Sequence, residues 1–127
     1  ASLDTLQDYY QAQFGLARAT PMPSVVSVLS AAYGLPRDHR HAIAALAIRG
    51  QCYIEADEMP PGVTARPCEP GQLPPAVAMV TFEVDRLPEP MSALGPAHRT
   101  AGLPYSGRRA IACTGSTGEL IELVEAI

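Results

Sequence analysis

Leu3, Leu6, Tyr10 and Phe14 follow the three-to-four spacing of one helical face and predict a helix over residues 3–14. Ser2 and Asp4 are candidate caps at its start, and Gly15 is a suitable stop. Residues 24–33 fit two patterns. Val25, Val28, Leu29 and Ala32 share a helical face, and Gly34 with Pro36 would end it, whereas the β-branched valines favour a strand. The balance favours a short helix. The runs AIAALAI (42–48) and QCYIEAD (51–57), with a turn at Arg49-Gly50, predict a β-hairpin. Residues 59–75 hold six prolines and read as a long loop or crossover, of a length that is often functional. VAMVTFEVD (77–85) predicts a strongly apolar strand. LPEPMSALG (87–95), with Pro88 near its start and Gly95 at its end, predicts a short helix. Residues 97–107 read as a strand edge and loop. Residues 108–113 and 119–125 form a final hairpin around Gly115-Ser116-Thr117-Gly118.

The second half therefore reads as βαβββ, and the first half as the same unit without its leading strand. This is a repeat of pattern, not of letters. The halves are residues 1–58 and 76–127, joined by the proline-rich crossover at 59–75, within a single domain.

Strand alternation sets Tyr53, Glu55 and Asp57 on one face, and Leu120, Glu122 and Val124 on one face of the last strand. It likewise groups Val77, Met79, Thr81 and Glu83. Glu55 and Glu122 are thus carboxylates on apolar strands. Such a group costs several kcal/mol to bury unless it has a partner or a task. Two of them in one small domain suggest a metal or substrate site; the alternative is partial exposure, or pairing with Arg108 or Arg109. His39 and His41 flank Arg40 and would share a face at a strand start, where they could bind a metal, although such a pair more often sits in an exposed turn. Tyr105 precedes a strand and could close over a ligand, or be a tyrosine with a satisfied hydroxyl. Arg66 and Arg109 are candidates for gripping an anionic ligand through two bonds, or are solvated surface charges. His98 has no assigned role.

Composition narrows the function. The net charge of -4 and the lack of a basic stripe argue against nucleic acid, and no apolar run approaches a membrane span. The chain has no lysine, which excludes Schiff-base chemistry on that residue. Three widely spaced cysteines with no C-x-x-C pair, and a polar N-terminal stretch, fit a reduced cytoplasmic protein. Cys52 and Cys113 read as small core residues, and Cys68 as an exposed loop thiol.

The order of elements, with DTLQDYYQAQFGL, RGQCYIEAD, AMVTFEVDRLPEPMSALG, LPYSGRRAIAC and TGELIELVE in sequence, resembles the vicinal oxygen chelate superfamily, which includes glyoxalase I, bleomycin-resistance proteins and extradiol dioxygenases. The resemblance implies an α+β fold of paired βαβββ modules whose mixed sheets form a cup. The first strand of module 1 has no counterpart. A fragment of a longer protein, a strand supplied by another copy, and a rearranged fold all remain open.

Carried over, the family's fourth-strand ligand falls on Glu55 and its last-strand ligand on Glu122. Its fifth-strand ligand falls on Met79, a poor donor for hard or borderline metals. The cup lining would be Tyr53, Glu55, Met79, Thr81, Leu120 and Glu122. One implied function is a domain that holds a small molecule without a complete metal site, working as a homodimer or beside a tandem sister module. Another is a lyase, isomerase or dioxygenase in which a divalent metal on Glu55 and Glu122 binds vicinal oxygens. A third is a non-catalytic half of a tandem protein. Whether the chain is an enzyme stays open at this point.

Overall fold

The structure, a computed structural model, describes residues 2–50, 52–64, 67, 69, 79–88 and 93–127. The chain divides into two compact units, Ala1–Ala65 and Arg66–Ile127.

The first unit opens with helix α1, Leu3–Phe14. Ser2 caps it as expected, its hydroxyl accepting the Thr5 N–H at 3.2 Å. Gly15 ends it in the left-handed conformation, φ 68°, with its N–H on the Gln11 carbonyl. The buried face of α1 carries Leu3, Gln7, Tyr9 and Tyr10, and Tyr9, Tyr10 and Phe14 pack ring to ring. Buried Gln7 accepts the Ala19 N–H at 2.7 Å, which ties the chain after the helix back to it.

Residues 24–33 are split rather than wholly helical. Strand β1 takes Met22–Val25, and helix α2 takes Ser27–Ala32. Both patterns in the sequence are real but act in succession. Pro23 holds the preceding residue extended, and the valines prolong the strand until Ser27 starts the helical turn. Pro23 is tolerated because β1 is, among the described residues, an edge strand. Strand β2 (Arg40–Ala47) and strand β3 (Tyr53–Asp57) form the expected hairpin, with Gly50 at φ 80° in the connection. The sheet order is β1-β2-β3, antiparallel throughout. Ala44, Leu46 and Ala56 are buried on one face. Cys52, expected as a core residue, is exposed because it lies in the connection just before β3.

The second unit holds strands β4 (Val80–Val84), β5 (His98–Arg99), β6 (Arg109–Thr114) and β7 (Leu120–Glu125). Their order is β4-β7-β6-β5, with β4 parallel to β7 and the other pairs antiparallel. This mixed sheet, the antiparallel one and the two helices make the fold α+β. Ile111, Cys113, Ile121 and Leu123 are buried on one face of the second sheet. Ala93 bridges to Cys113, and the Leu94 N–H reaches the Ala112 carbonyl.

Residues 89–92 of the predicted helix at 87–95, the start of the strand at 77–85 and most of the crossover at 59–75, with Arg66 and Cys68, lie outside the described residues. Residues 87, 88 and 93–95, which are described, are not helical, and Ala93 pairs with β6 instead.

Candidate functional site

Strand β7 lies inside its sheet, between β6 and β4. Alternation turns Ile121 and Leu123 to the apolar face and Glu122 to the other. In register beside Glu122 stand Ala112 on β6 and Thr81 on β4. Both are small, which leaves room for the carboxyl group between them. Glu122 is 4% exposed.

The carboxyl group is satisfied by hydroxyls. Thr81 donates to Oε2 at 2.8 Å. The Tyr105 hydroxyl lies 3.0 Å from Oε1 and 3.1 Å from Oε2, so one phenol covers both oxygens. Hydrogen bonds to a charged acceptor are stronger than neutral ones, and these bonds offset the cost of burying the carboxyl group. Among the described residues no arginine or histidine reaches Glu122. Arg108 pairs with Glu83, and Arg109 lies 3.7 Å from Glu125. Both Thr81 and Glu83 are exposed, and Tyr105 is half-buried.

Tyr105 comes from the loop between β5 and β6. The loop is folded on itself: the Tyr105 and Ser106 N–H groups donate to the Gly102 carbonyl, and the Gly107 N–H to the Thr100 carbonyl. Its bond to Glu122 raises the Tyr105 phenol above its ordinary pKa of 10.0; partial burial and the neighbouring carboxylate charge push the same way.

Of the residues singled out in the sequence, the structure brings Thr81, Tyr105 and Glu122 together. Leu120 shares the Glu122 face by alternation and is half-buried, and Met79 precedes β4 in the alternation of Thr81 and is exposed. Arg109 belongs to the opposite face, with Glu125 across from it. Tyr53 and Glu55 lie in the first unit, both exposed on β3. His39 and His41 have rings 4.8 Å apart, but His41 is buried on β2 and its Nε2 bonds the buried Ser30 hydroxyl at 3.0 Å. That bond ties α2 to β2. The strand begins at Arg40, two residues earlier than the sequence suggested, so His41 lies within β2, on the face of Ile43 and Ala45.

Sequence reasoning missed the link between Arg108 and Glu83. The signal was the alternation that puts Glu83 on the Thr81 face, with an arginine between Tyr105 and the next strand.

No protein-family model and no curated protein sequence matches the chain. Among solved structures it is similar to the glyoxalase family protein from Enterococcus faecalis, at 16% identity and a TM-score of 0.60, covering 96% of this chain and 87% of that one. The fold of this chain is thus glyoxalase-like.

Proposed function

We propose that this glyoxalase-like domain binds a small molecule on the second sheet, with Glu122 as the anchor. The observation that carries this is a buried carboxyl group held by two hydroxyls and by no cation among the described residues. Such a group is an acceptor site. A ligand with O–H or N–H donors fits it, by taking the place of the Tyr105 hydroxyl or joining Thr81. An anion does not fit, because Glu122 and Glu83 lie on the same face. Exposed Met79 and half-buried Leu120 add apolar surface for the ligand's body. The reading includes a homodimer or a tandem sister module, which the molar mass in solution tests.

A divalent cation fits the residues poorly. Such ions collect several carboxylate or imidazole donors. Among the described residues no three His, Cys, Asp or Glu side chains converge, and the neighbours of Glu122 are hydroxyls.

The test is a thermal-shift screen of polyols and amines against the wild type and Glu122→Gln, with and without chelator. The glutamine keeps one oxygen for Thr81 and Tyr105, so the fold survives. A binder at about 100 times its Kd should stabilise the wild type by about 2.7 kcal/mol. Loss of a bond to a charged acceptor should weaken binding roughly 10- to 100-fold in the variant. Chelator should change neither result. A metal-specific rise in melting temperature that Glu122→Gln abolishes would instead assign the site to a metal-dependent lyase, isomerase or dioxygenase.

A further inference from the structure

The Arg108 guanidinium uses three nitrogens on three acceptors. Nε donates to the Tyr105 carbonyl at 3.0 Å, Nη2 donates to the Pro104 carbonyl at 2.9 Å, and Nη1 pairs with Glu83. The Arg108 backbone N–H reaches the same Tyr105 carbonyl at 3.0 Å. The two carbonyls belong to the peptide units on either side of the Tyr105 Cα, so one planar group grips the backbone before and after the residue that covers Glu122. Glu83 is on β4, on the face that carries Thr81. The grip therefore ties the loop to the strand that supplies the other hydroxyl. The Arg108 side chain is 20% exposed, which makes these bonds stronger than those of a solvated arginine. At the far end of the loop Arg99 donates to the Gly107 carbonyl at 2.6 Å.

We propose that Arg108 is the positioning residue that sets the Tyr105 hydroxyl on Glu122, and that access of a ligand to Glu122 is governed by this clasp. The second clause rests on the reading of Glu122 as the ligand anchor; the first does not. A guanidinium is suited to the task because its rigid fork serves three directions at once, which a lysine ammonium on a flexible stem does not.

The experiment is a titration of the Tyr105 phenol by ultraviolet difference absorbance. Each protein is read against its own Tyr105→Phe version, with no ligand present. Among the described residues, the charged groups that contact the phenol or its loop are Glu122 from β7, Glu83 from β4 through Arg108, Arg99 from β5 on the Gly107 carbonyl, and Arg108 itself. Two accounts of Arg108 predict opposite signs for Arg108→Gln. If Arg108 were only a nearby positive charge, its loss would make the phenolate harder to form, and the midpoint would rise further above 10.0. If Arg108 positions the loop, the phenol leaves Glu122 and the midpoint falls towards 10.0.

The expected result is the fall. Arg108→Lys, which keeps the charge and loses the fork, should fall as well, and it carries the test if the glutamine variant does not fold. Glu83→Gln leaves an amide oxygen for Arg108 and should keep the wild-type midpoint. An unchanged or raised midpoint in a folded Arg108 variant overturns the proposal. So does a fall in Glu83→Gln as large as that in Arg108→Gln, since the effect would then belong to the Glu83 charge. A failure of Glu122 to bind small molecules would leave the titration result untouched, so the two readings fail separately.

Discussion

At the residue scale the chemistry rests on where one proton sits. The Tyr105 hydroxyl spans both Glu122 oxygens, and that bond is the largest cause of its raised pKa. The folded chain therefore holds this proton at pH values where the unfolded chain has released it. The stabilisation is complete below the ordinary value of 10.0 and is lost as pH rises through the folded value above it. Melting temperature should consequently fall more steeply above about pH 10 in the wild type than in Tyr105→Phe. Near neutral pH the variant should be less stable than the wild type, because Glu122 keeps only the Thr81 bond. Equal slopes would mean that the phenol does not bond the carboxylate. Glu122 was legible in the sequence as an anomaly, a carboxylate between Ile121 and Leu123. Its partners were less so. Alternation groups Thr81 with Met79 and Glu83 but does not say which strand lies beside β7, and nothing local to Tyr105 says that its loop folds over the sheet.

At the element scale, patterns that are satisfied locally were the legible ones. Helix α1 has the predicted ends because its caps are side chain and backbone bonds within three to five residues. The β6–β7 hairpin is fixed by its turn. The Gly115 N–H donates to the Glu119 carbonyl at 2.8 Å, and Gly118 takes φ 89°. The Glu119 carboxyl group folds back over Gly115, where a Cβ would lie 2.0 Å from Oε1, while its Oε2 accepts the Thr117 N–H and hydroxyl. Where two patterns overlap, as in residues 24–33, periodicity alone did not show that a strand hands over to a helix at Ser27. The two faces of the second sheet should differ sharply under truncation. Leu123 is fully buried between β6 and β4, so Leu123→Ala should cost about 2–5 kcal/mol. Val80, on the same face but at the edge strand and 53% exposed, should cost less than about 1 kcal/mol when changed to Ala. Urea unfolding of both variants checks the contrast, and similar losses would mean that β4 is covered in solution.

At the scale of the whole molecule, Glu55 and Glu122 looked alike in the sequence, and topology is what separates them. Both are acids on an apolar strand that closes a hairpin. Strand β7 has β6 on one side and β4 on the other, whereas β3 has β2 on one side and, among the described residues, no strand on the other. A central strand buries its acid between neighbours; an edge strand leaves it in water. That difference is long-range, since β4 precedes β7 by about forty residues of chain, and local pattern cannot report it. The backbone makes the same distinction. The Ile48 N–H bonds the Cys52 carbonyl and the Glu58 N–H bonds the Ala42 carbonyl, so the even-numbered residues of β3 face β2, and the amides of Tyr53, Glu55 and Asp57 point outward. On β7 the Ala126 N–H bonds the Val84 carbonyl, and by alternation the Glu122 and Val124 amides also point to β4. Hydrogen exchange read residue by residue should therefore find the Glu55 and Asp57 amides exchanging on the order of 100-fold faster than those of Glu122 and Val124. Lys or Pro commonly guards such an edge; here the guards are the exposed acids Glu55 and Asp57. If two copies met edge to edge and antiparallel about Glu55, the two Glu55 side chains would lie opposite each other and repel. Protection at Glu55 equal to that at Glu122 would mean that another strand occupies the β3 edge in solution. Glu55 would then sit on a central strand, as Glu122 does, and would become a second candidate anchor.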